Sequence, residues 1–219
     1  MAGFNADAVV SSKYYTSHKE FLSKRECDVI CNTLDTWEDH VLAMDSPTSE
    51  YTGLTAKFTV CNWLTHPDIE RLGIPDKLFN LPEFKDVPHL VIQCWGNILR
   101  HDRGLDTHTH EAIRPQIISD IGHFHNANIY LRGEFNTTLY ESEPMSPDRY
   151  FNIFREERNE VGQLALFSSD LEHSVPKNPY ETPRYSMALD IYPTYGLAQH
   201  HNGHPLSLKR FRTFRNRNA

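Results

Sequence analysis

Apolar and polar residues alternate in two stretches towards the carboxyl-terminal part of the chain. Leu164 and Leu166 alternate with smaller or polar neighbours, and residues 185–191 repeat the pattern. A period of two predicts β-strands with one apolar face. Three prolines at positions 176–183 separate the stretches, and proline cannot extend a central strand. The pattern therefore predicts strand, loop and strand, with His173 facing inward at a strand end.

Other segments have the composition of strands or of the connections between them. Residues 90–99 and 128–131 are predicted strands, and residues 137–140 are the expected partner of 128–131. Residues 52–63 contain β-branched and aromatic residues suited to a strand. Residues 141–160 are charged and contain prolines, so we expect an insertion between strands that covers a pocket. The prediction is a mainly β protein.

Helices are predicted at the edges of this β region. Ser23 and Glu26 have capping-box spacing, which predicts a helix over about residues 23–36. Apolar residues then recur at helical spacing and give the helix one face for packing against the sheet: Cys27, Ile30 and Leu34. Residues 67–88 mix apolar clusters with prolines, which favours short helical turns.

Length and composition are those of a single domain over residues 1–219. The longest apolar run, residues 90–95, is far shorter than the roughly 20 residues of a membrane helix, and residues at the amino terminus show no signal pattern. We expect a cytoplasmic protein with no membrane partner. The cysteines form no CxxC pair and are expected to be reduced packing residues: Cys27, Cys31, Cys61 and Cys94.

The net charge of −7 is unevenly distributed. Cations are concentrated near the carboxyl terminus, at Lys209, Arg210, Arg212, Arg215 and Arg217, so the rest of the chain is still more acidic. That charge argues against a polyanion partner for the body of the protein. The basic tail, residues 205–219, interleaves Phe211 and Phe214 with its cations and could contact nucleic acid. A docked or mobile terminus is the simpler interpretation.

Three histidines form the candidate chemical centre. His108 and His110 flank one residue, so on an extended chain their rings share a face, about 7 Å apart at Cα. In a jelly roll, or double-stranded β-helix, with its core at about residues 90–193, both would meet His173. Three neutral imidazoles can bind Fe, Zn, Cu or Ni and leave coordination positions open, as catalysis requires.

Arg184 and Ser186 bear on the choice of metal. Arg184 follows His173 by eleven residues, and Ser186 points to the same face of its strand. An arginine on a pocket wall suits a dicarboxylate whose other end chelates the metal, whereas zinc hydrolysis does not need one. The alternative is an ordinary hairpin whose arginine pairs with a surface carboxylate.

These residues resemble those of the Fe(II)/2-oxoglutarate dioxygenases, particularly the prolyl-hydroxylase-like and small phage-type branches. The resemblance implies that His173 binds iron, that Arg184 binds the far carboxylate of 2-oxoglutarate, and that Ser186 is the hydroxyl of an Arg-x-Ser motif. It implies an oxidoreductase that uses O2, releases succinate and CO2, and hydroxylates an amino acid, peptide or other small substrate. The resemblance covers most of the chain, through residues 21–27, 95–110, 129–131 and 162–186.

The first ligand motif departs from the family, which usually has His-x-Asp or His-x-Glu where this chain has His108-Thr109-His110. One solution is a site of His108, His110 and His173. A second shifts the frame to His110-Glu111-Ala112, which resembles the His-x-Ala of iron halogenases. In a third, His108 binds the metal while His110 packs beside it or contacts substrate. Carboxylates that could orient the rings are Asp102, Asp106, Glu111 and Glu172.

Two other classes of protein remain open. A cupin-like or zinc-dependent enzyme could use the same histidines, although Arg114 and Pro115 occupy the region where a cupin glutamate is expected. A non-catalytic jelly-roll binding module is the other. Further polar or aromatic residues are expected mainly to pack in the core or the sheet: Trp95, Asn128, Tyr130 and Gln163. His123 and His125 are expected on a polar strand face, and His200, His201 and His204 on the surface.

Overall fold

The computed structural model describes residues 13–43, 62–110, 123–143, 153–193 and 211–217. Strands predominate, as the alternating sequence pattern predicted. The helices are α1 Lys24–Ala43, α2 Pro67–Glu70 and α3 Ile74–Phe79, with a 3-10 turn at Trp63–Thr65. The strands are β1 Tyr15–His18, β2 His89–Leu99, β3 Leu105–His108, β4 His125–Arg132, β5 Thr137–Glu143, β6 Ile153–Arg158, β7 Leu164–Ser168, β8 His173–Val175, β9 Arg184–Tyr192 and β10 Phe211–Arg215.

The strands form two antiparallel sheets. The larger sheet has the order β1-β7-β4-β9-β2-β10, and the smaller has the order β3-β8-β5-β6. Contacts between β9 of the first sheet and β5 of the second, through Arg184 and Thr138, show that the sheets face each other. This arrangement is the predicted double-sheet jelly roll.

Helix α1 covers the outer face of the larger sheet. Its capping box is formed, since the Ser23 N–H donates to the Glu26 carboxylate at 2.8 Å and the Glu26 N–H donates to Ser23 Oγ at 3.3 Å. The helix continues beyond the predicted residue 36 to Ala43. Leu34 packs so close to Gly96 of β2 that a Cβ there would lie 2.5 Å from the leucine. The glycine therefore lets the helix approach the sheet.

The predicted pairing of residues 137–140 with 128–131 is wrong. Strand β4 pairs with β7 and β9, whereas β5 pairs with β6 and β8 in the other sheet. The chain leaves β4 at Gly133, whose φ of +137° is a conformation that other residues rarely adopt. This turn carries the chain from one sheet to the other instead of folding it back as a hairpin.

The two strands predicted from alternating apolar residues, β7 and β9, are present but do not form a hairpin. Each pairs with β4, which lies between them. His173 lies at a strand end as predicted, but it begins the short strand β8 of the opposite sheet rather than a loop. The intervening segment therefore crosses from one sheet to the other and back.

Two further predictions need correction or completion. Residues 141–160 are not simply an insertion, because β5 extends to Glu143 and residues 153–158 form β6, a charged edge strand of the kind that resists further pairing. The basic tail is docked over Phe211–Arg215, where β10 pairs with β2. The strand predicted at 52–63 lies outside the described residues, apart from Asn62 and Trp63, of which Asn62 caps the 3-10 turn and Trp63 begins it.

The described cysteines, Cys27, Cys31 and Cys94, are free and buried, as predicted, and Cys61 lies outside the described residues. Within the described ranges, every helix is too short or too polar to cross a lipid bilayer.

Candidate metal centre

The structure brings the three predicted histidines together. His108 ends β3 and His173 begins β8, and the two residues stand directly opposite each other in the antiparallel pair. His110 follows β3, where its backbone N–H donates to the Ser169 carbonyl at 3.1 Å. One ring nitrogen from each histidine lies within 4.8 Å of the others. This spacing allows one ion to reach all three rings.

The hydrogen bonds of the three rings fix which nitrogen is available. The Nδ1–H of His108 donates to the Asp106 carbonyl at 2.7 Å, and the Nδ1–H of His173 donates to the Leu171 carbonyl at 3.0 Å. Nδ1 of His110 lies 2.6 Å from Oδ1 of Asp190. A carbonyl or carboxylate oxygen can only accept, so each Nδ1 carries the proton. In the neutral ring, Nε2 then has a free lone pair.

Burial keeps the rings of His108 and His173 neutral. It lowers the pKa of His173 well below the ordinary value, and the neighbouring rings of His108 and His110 lower it further. Burial also lowers the pKa of His108, with a smaller contribution from His110. Neutral imidazole is the form that binds a metal. These two rings therefore have the protonation state of metal ligands at neutral pH.

Arg184 lies in the same interior and is completely buried. Its guanidinium donates to Ser186 Oγ and to Thr138 Oγ1, each at 3.2 Å. Its Nε has no acceptor, and no carboxylate among the described residues forms an ion pair with it. Burial lowers the pKa of Arg184 to about 10, so the side chain is still charged at pH 7. Buried charges are normally paired, so this cation indicates an anionic ligand.

The surface between the two sheets is unusually polar for a protein interior. Asn126, Asn128 and Tyr130 of β4 alternate with residues of the helix-side core, so their side chains face the opposite sheet. Buried polar atoms without a partner occur at Asn97 Oδ1, both amide atoms of Asn126, Asn128 Oδ1 and Tyr140 Oη. Such atoms are normally hydrogen-bonded. Their concentration here indicates a polar ligand or bound water between the sheets.

Asp190 and Thr138 are functional candidates that the sequence prediction missed. Both are buried on inward-facing strand positions, and both contact predicted site residues. Asp190 could have been found in the sequence as a carboxylate within the largely apolar strand 184–192. Of the carboxylates predicted to orient the rings, Asp106 accepts from His108 through its backbone carbonyl, and Asp102 pairs with Lys177 at 3.1 Å. Residues 111 and 112 of the shifted frame lie outside the described residues.

Two of the residues expected mainly to pack in the core or the sheet, Gln163 and Tyr130, bond to nearby backbone groups. Gln163 accepts the Glu160 N–H at 2.8 Å, and the Tyr130 hydroxyl donates to the Gly133 carbonyl at 2.5 Å. The Trp95 ring lies 5.7 Å from His110, which places it beside the cluster.

The expectation of a polar face for His125 is wrong. Its Nδ1 contacts the Tyr14 hydroxyl, and its ring packs 4.9 Å from Phe84. Burial lowers the pKa of His125 to about 4. The histidines at 200, 201 and 204 lie outside the described residues.

No protein-family model and no curated protein sequence matches the chain. Solved structures do. The non-heme alpha-ketoglutarate-dependent epimerase SnoN of nogalamycin biosynthesis has a TM-score of 0.63 at 14% identity, over 91% of this chain and 90% of that one. HygX from Streptomyces hygroscopicus, with nickel and 2-oxoglutarate bound, has a TM-score of 0.58 at 15% identity, over 84% of each chain.

A Pseudomonas putida prolyl-4-hydroxylase has a TM-score of 0.55 at 8% identity, over 81% of this chain and 91% of that one. These similarities confirm, at the level of fold, the resemblance found in the sequence. The chain has the jelly-roll fold of the non-heme 2-oxoglutarate-dependent enzymes.

Proposed function

We propose that this protein is an Fe(II)- and 2-oxoglutarate-dependent oxygenase that uses O2 to oxidise a small-molecule or peptide substrate. One observation supports this proposal most directly: one nitrogen from each of three imidazoles lies within 4.8 Å of the others, and the same interior contains a buried arginine that has no anionic partner among the described residues. The three imidazoles are suited to bind a metal, and the arginine is suited to bind one carboxylate of a keto diacid. The shared fold supports the same function.

The metal would be held by His108, His110 and His173. All three rings have Nδ1 bonded to an acceptor, which leaves Nε2 for coordination. Three protein ligands leave open positions, as a catalytic site needs. When bound, iron with 2-oxoglutarate supplies the oxidising chemistry, with release of succinate and CO2. A zinc hydrolase could use the same ligands, but it would leave the buried charge of Arg184 unexplained.

Arg184 would bind the carboxylate of 2-oxoglutarate farthest from the metal. Ser186 and Thr138 accept hydrogen bonds from its two terminal nitrogens and so hold the guanidinium plane in place. The Nε–H, which lacks an acceptor, is one donor for the ligand. The Tyr140 hydroxyl is a second, since burial raises its pKa and keeps the proton on the oxygen.

The buried asparagines provide a polar lining for the ligands. Asn97 donates to Ser186 Oγ at 3.3 Å, while its own carbonyl oxygen has no partner. Asn126 and Asn128 add further amide atoms without partners on β4, the strand on the other side of β9. A polar ligand would satisfy these groups and exclude water from the metal. We expect hydroxylation of an amino acid, peptide or other small substrate.

The test is succinate formation from 2-oxoglutarate with Fe(II) and O2, measured first without and then with candidate substrates. Wild-type protein is expected to form succinate, and Arg184→Met is expected to form at least about 100-fold less at low 2-oxoglutarate. Arg158→Met is the matched control, because Arg158 is an exposed arginine on β6. Undiminished turnover in Arg184→Met would refute the carboxylate role. Stoichiometric zinc without binding of 2-oxoglutarate would favour the zinc enzyme.

A further inference from the structure

Asp190 forms a buried pair with His110 across a long separation in sequence. The His110 Nδ1–H donates to Asp190 Oδ1 at 2.6 Å, and the two side chains are 9% and 2% exposed. Building on the proposed function, we propose that Asp190 is a positioning residue. It holds His110 in the orientation that makes it the third metal ligand, and it supplies the negative charge that the three-histidine ligand set lacks.

The orientation follows from the hydrogen bond and the stacking of the rings. Because the His110 Nδ1–H donates to Asp190, Nε2 is the ring nitrogen that remains for a metal. The ring stacks on His108 with 18° between the planes, and its centroid lies 5.3 Å from that of His173. A histidine that only packed beside the site would not need a buried carboxylate to fix its tautomer. The pair therefore favours His110 as a ligand.

The charges of the assembled site support a second role. A divalent metal, the dianion of 2-oxoglutarate and the guanidinium of Arg184 together carry one net positive charge. Asp190 brings that total to zero in a region where uncompensated charge is costly.

A carboxylate that accepts from the far side of a ligating imidazole also makes the ring more basic. Such contacts typically contribute about 10-fold to 100-fold to metal affinity. Asp190→Asn preserves the shape and an acceptor oxygen but removes the charge. His110→Asp places a carboxylate directly at the ligand position. If Asp190 acts through His110, its charge becomes unnecessary in the His110→Asp variant.

The experiment is an anaerobic Co(II) titration of four proteins: wild type, Asp190→Asn, His110→Asp and the double variant. Asp190→Asn is expected to weaken Co(II) binding about 10-fold to 100-fold in the wild-type background. In the His110→Asp background the same change is expected to alter affinity less than about threefold. Glu141→Gln is the control, because Glu141 is a buried carboxylate of β5 that pairs with Lys13 and not with the histidines.

Apo stability provides a second measurement on the same proteins. His110→Asp places two buried carboxylates together and should lower Tm, and adding Asp190→Asn should restore it. If Asp190 had a purely structural role, Asp190→Asn would lower Tm equally in the wild-type and His110→Asp backgrounds. Equal effects of Asp190→Asn on Co(II) affinity in both backgrounds, or no effect in either, would overturn the inference. Failure of wild-type protein to bind Co(II) would instead refute the proposed function.

Discussion

Arg184 gives the sharpest prediction, because the ligand-free protein should become more stable when this residue is removed. Burial lowers its pKa from 12.5 to about 10. One pKa unit corresponds to about 1.4 kcal/mol, so burial of this charge costs about 3 kcal/mol. Methionine has a similar length and no charge. Replacing a buried, poorly paired charge by an apolar residue is commonly neutral or stabilising by about 1–4 kcal/mol.

The groups that contact Arg184 keep partners after the substitution. Ser186 Oγ still accepts from the Asn97 amide at 3.3 Å, and Thr138 Oγ1 still accepts from the Asn159 amide at 3.0 Å. The substitution therefore leaves neither hydroxyl without a partner, which is the usual reason that such a change destabilises a protein. We expect Arg184→Met to raise the free energy of unfolding of ligand-free protein by about 1–2 kcal/mol.

The ligand should reverse this order. At a concentration of 2-oxoglutarate one hundred times its Kd, binding stabilises wild-type protein by about 2.7 kcal/mol, and a variant that does not bind gains nothing. Urea denaturation at a fixed Co(II) concentration, with and without 2-oxoglutarate, measures both effects. Arg158→Met, at an arginine whose side chain is 79% exposed, should change stability by less than about 0.5 kcal/mol. An Arg184→Met protein that is less stable than wild type, yet equally stabilised by 2-oxoglutarate, would refute the reasoning.

Three further predictions concern the ligands, the response to acid and one turn. His173→Ala removes the proposed metal ligand on β8 and should weaken Co(II) binding more than about 100-fold in a titration, and a loss below about tenfold would contradict that role. The pKa of His125 is lowered from 6.5 to about 4. Between these two pH values the ring is protonated in the unfolded chain and neutral in the folded protein. This titration should contribute about 3 kcal/mol to the fall in the free energy of unfolding between about pH 6.5 and about pH 4, so urea titrations of His125→Gln should show a decrease smaller than that of wild type by about this amount. Gly162→Ala would place Cβ 1.9 Å from the Leu22 carbonyl oxygen at a φ of +81° and should cost more than about 2 kcal/mol. Gly73→Ala, at a φ of +62° but with only an ordinary contact to Asp76 at 3.7 Å, should cost about 1 kcal/mol in thermal unfolding.

The local elements follow from the sequence more readily than their pairing. The apolar period of two identifies β7 and β9, and the capping box identifies the start of α1, because both signals depend on neighbouring residues. Pairing depends on contacts distant in sequence. No local pattern shows that β4 lies between β7 and β9, or that β8, only three residues long, belongs to the opposite sheet.

The sequence predicted the histidines and the arginine that the structure brings into one interior, and it did not predict the residues that support them. His108, His110, His173 and Arg184 stand out because their residue types suit a metal and an anion. Asp190 does not stand out in the sequence, because a polar residue between apolar residues in a strand usually faces solvent. The larger sheet has helices on one face and the second sheet on the other, so its polar positions face a buried interior. The alternation of apolar and polar residues alone cannot show whether the polar side chains face solvent or a buried ligand pocket.

The short pairing of β3 with β8 has a consequence for the local stability of the smaller sheet. Strand β3 is the last strand of its sheet, and its register with β8 is interrupted between Leu105 and His108. An ion bound by both His108 and His173 would cross-link β3 to β8 at the end of their ladder. Metal loading should then slow amide hydrogen exchange at residues 105–108 and 173–175 more than elsewhere. Bound metal would in this way stabilise the edge of the smaller sheet, which the short β3–β8 ladder alone holds only weakly.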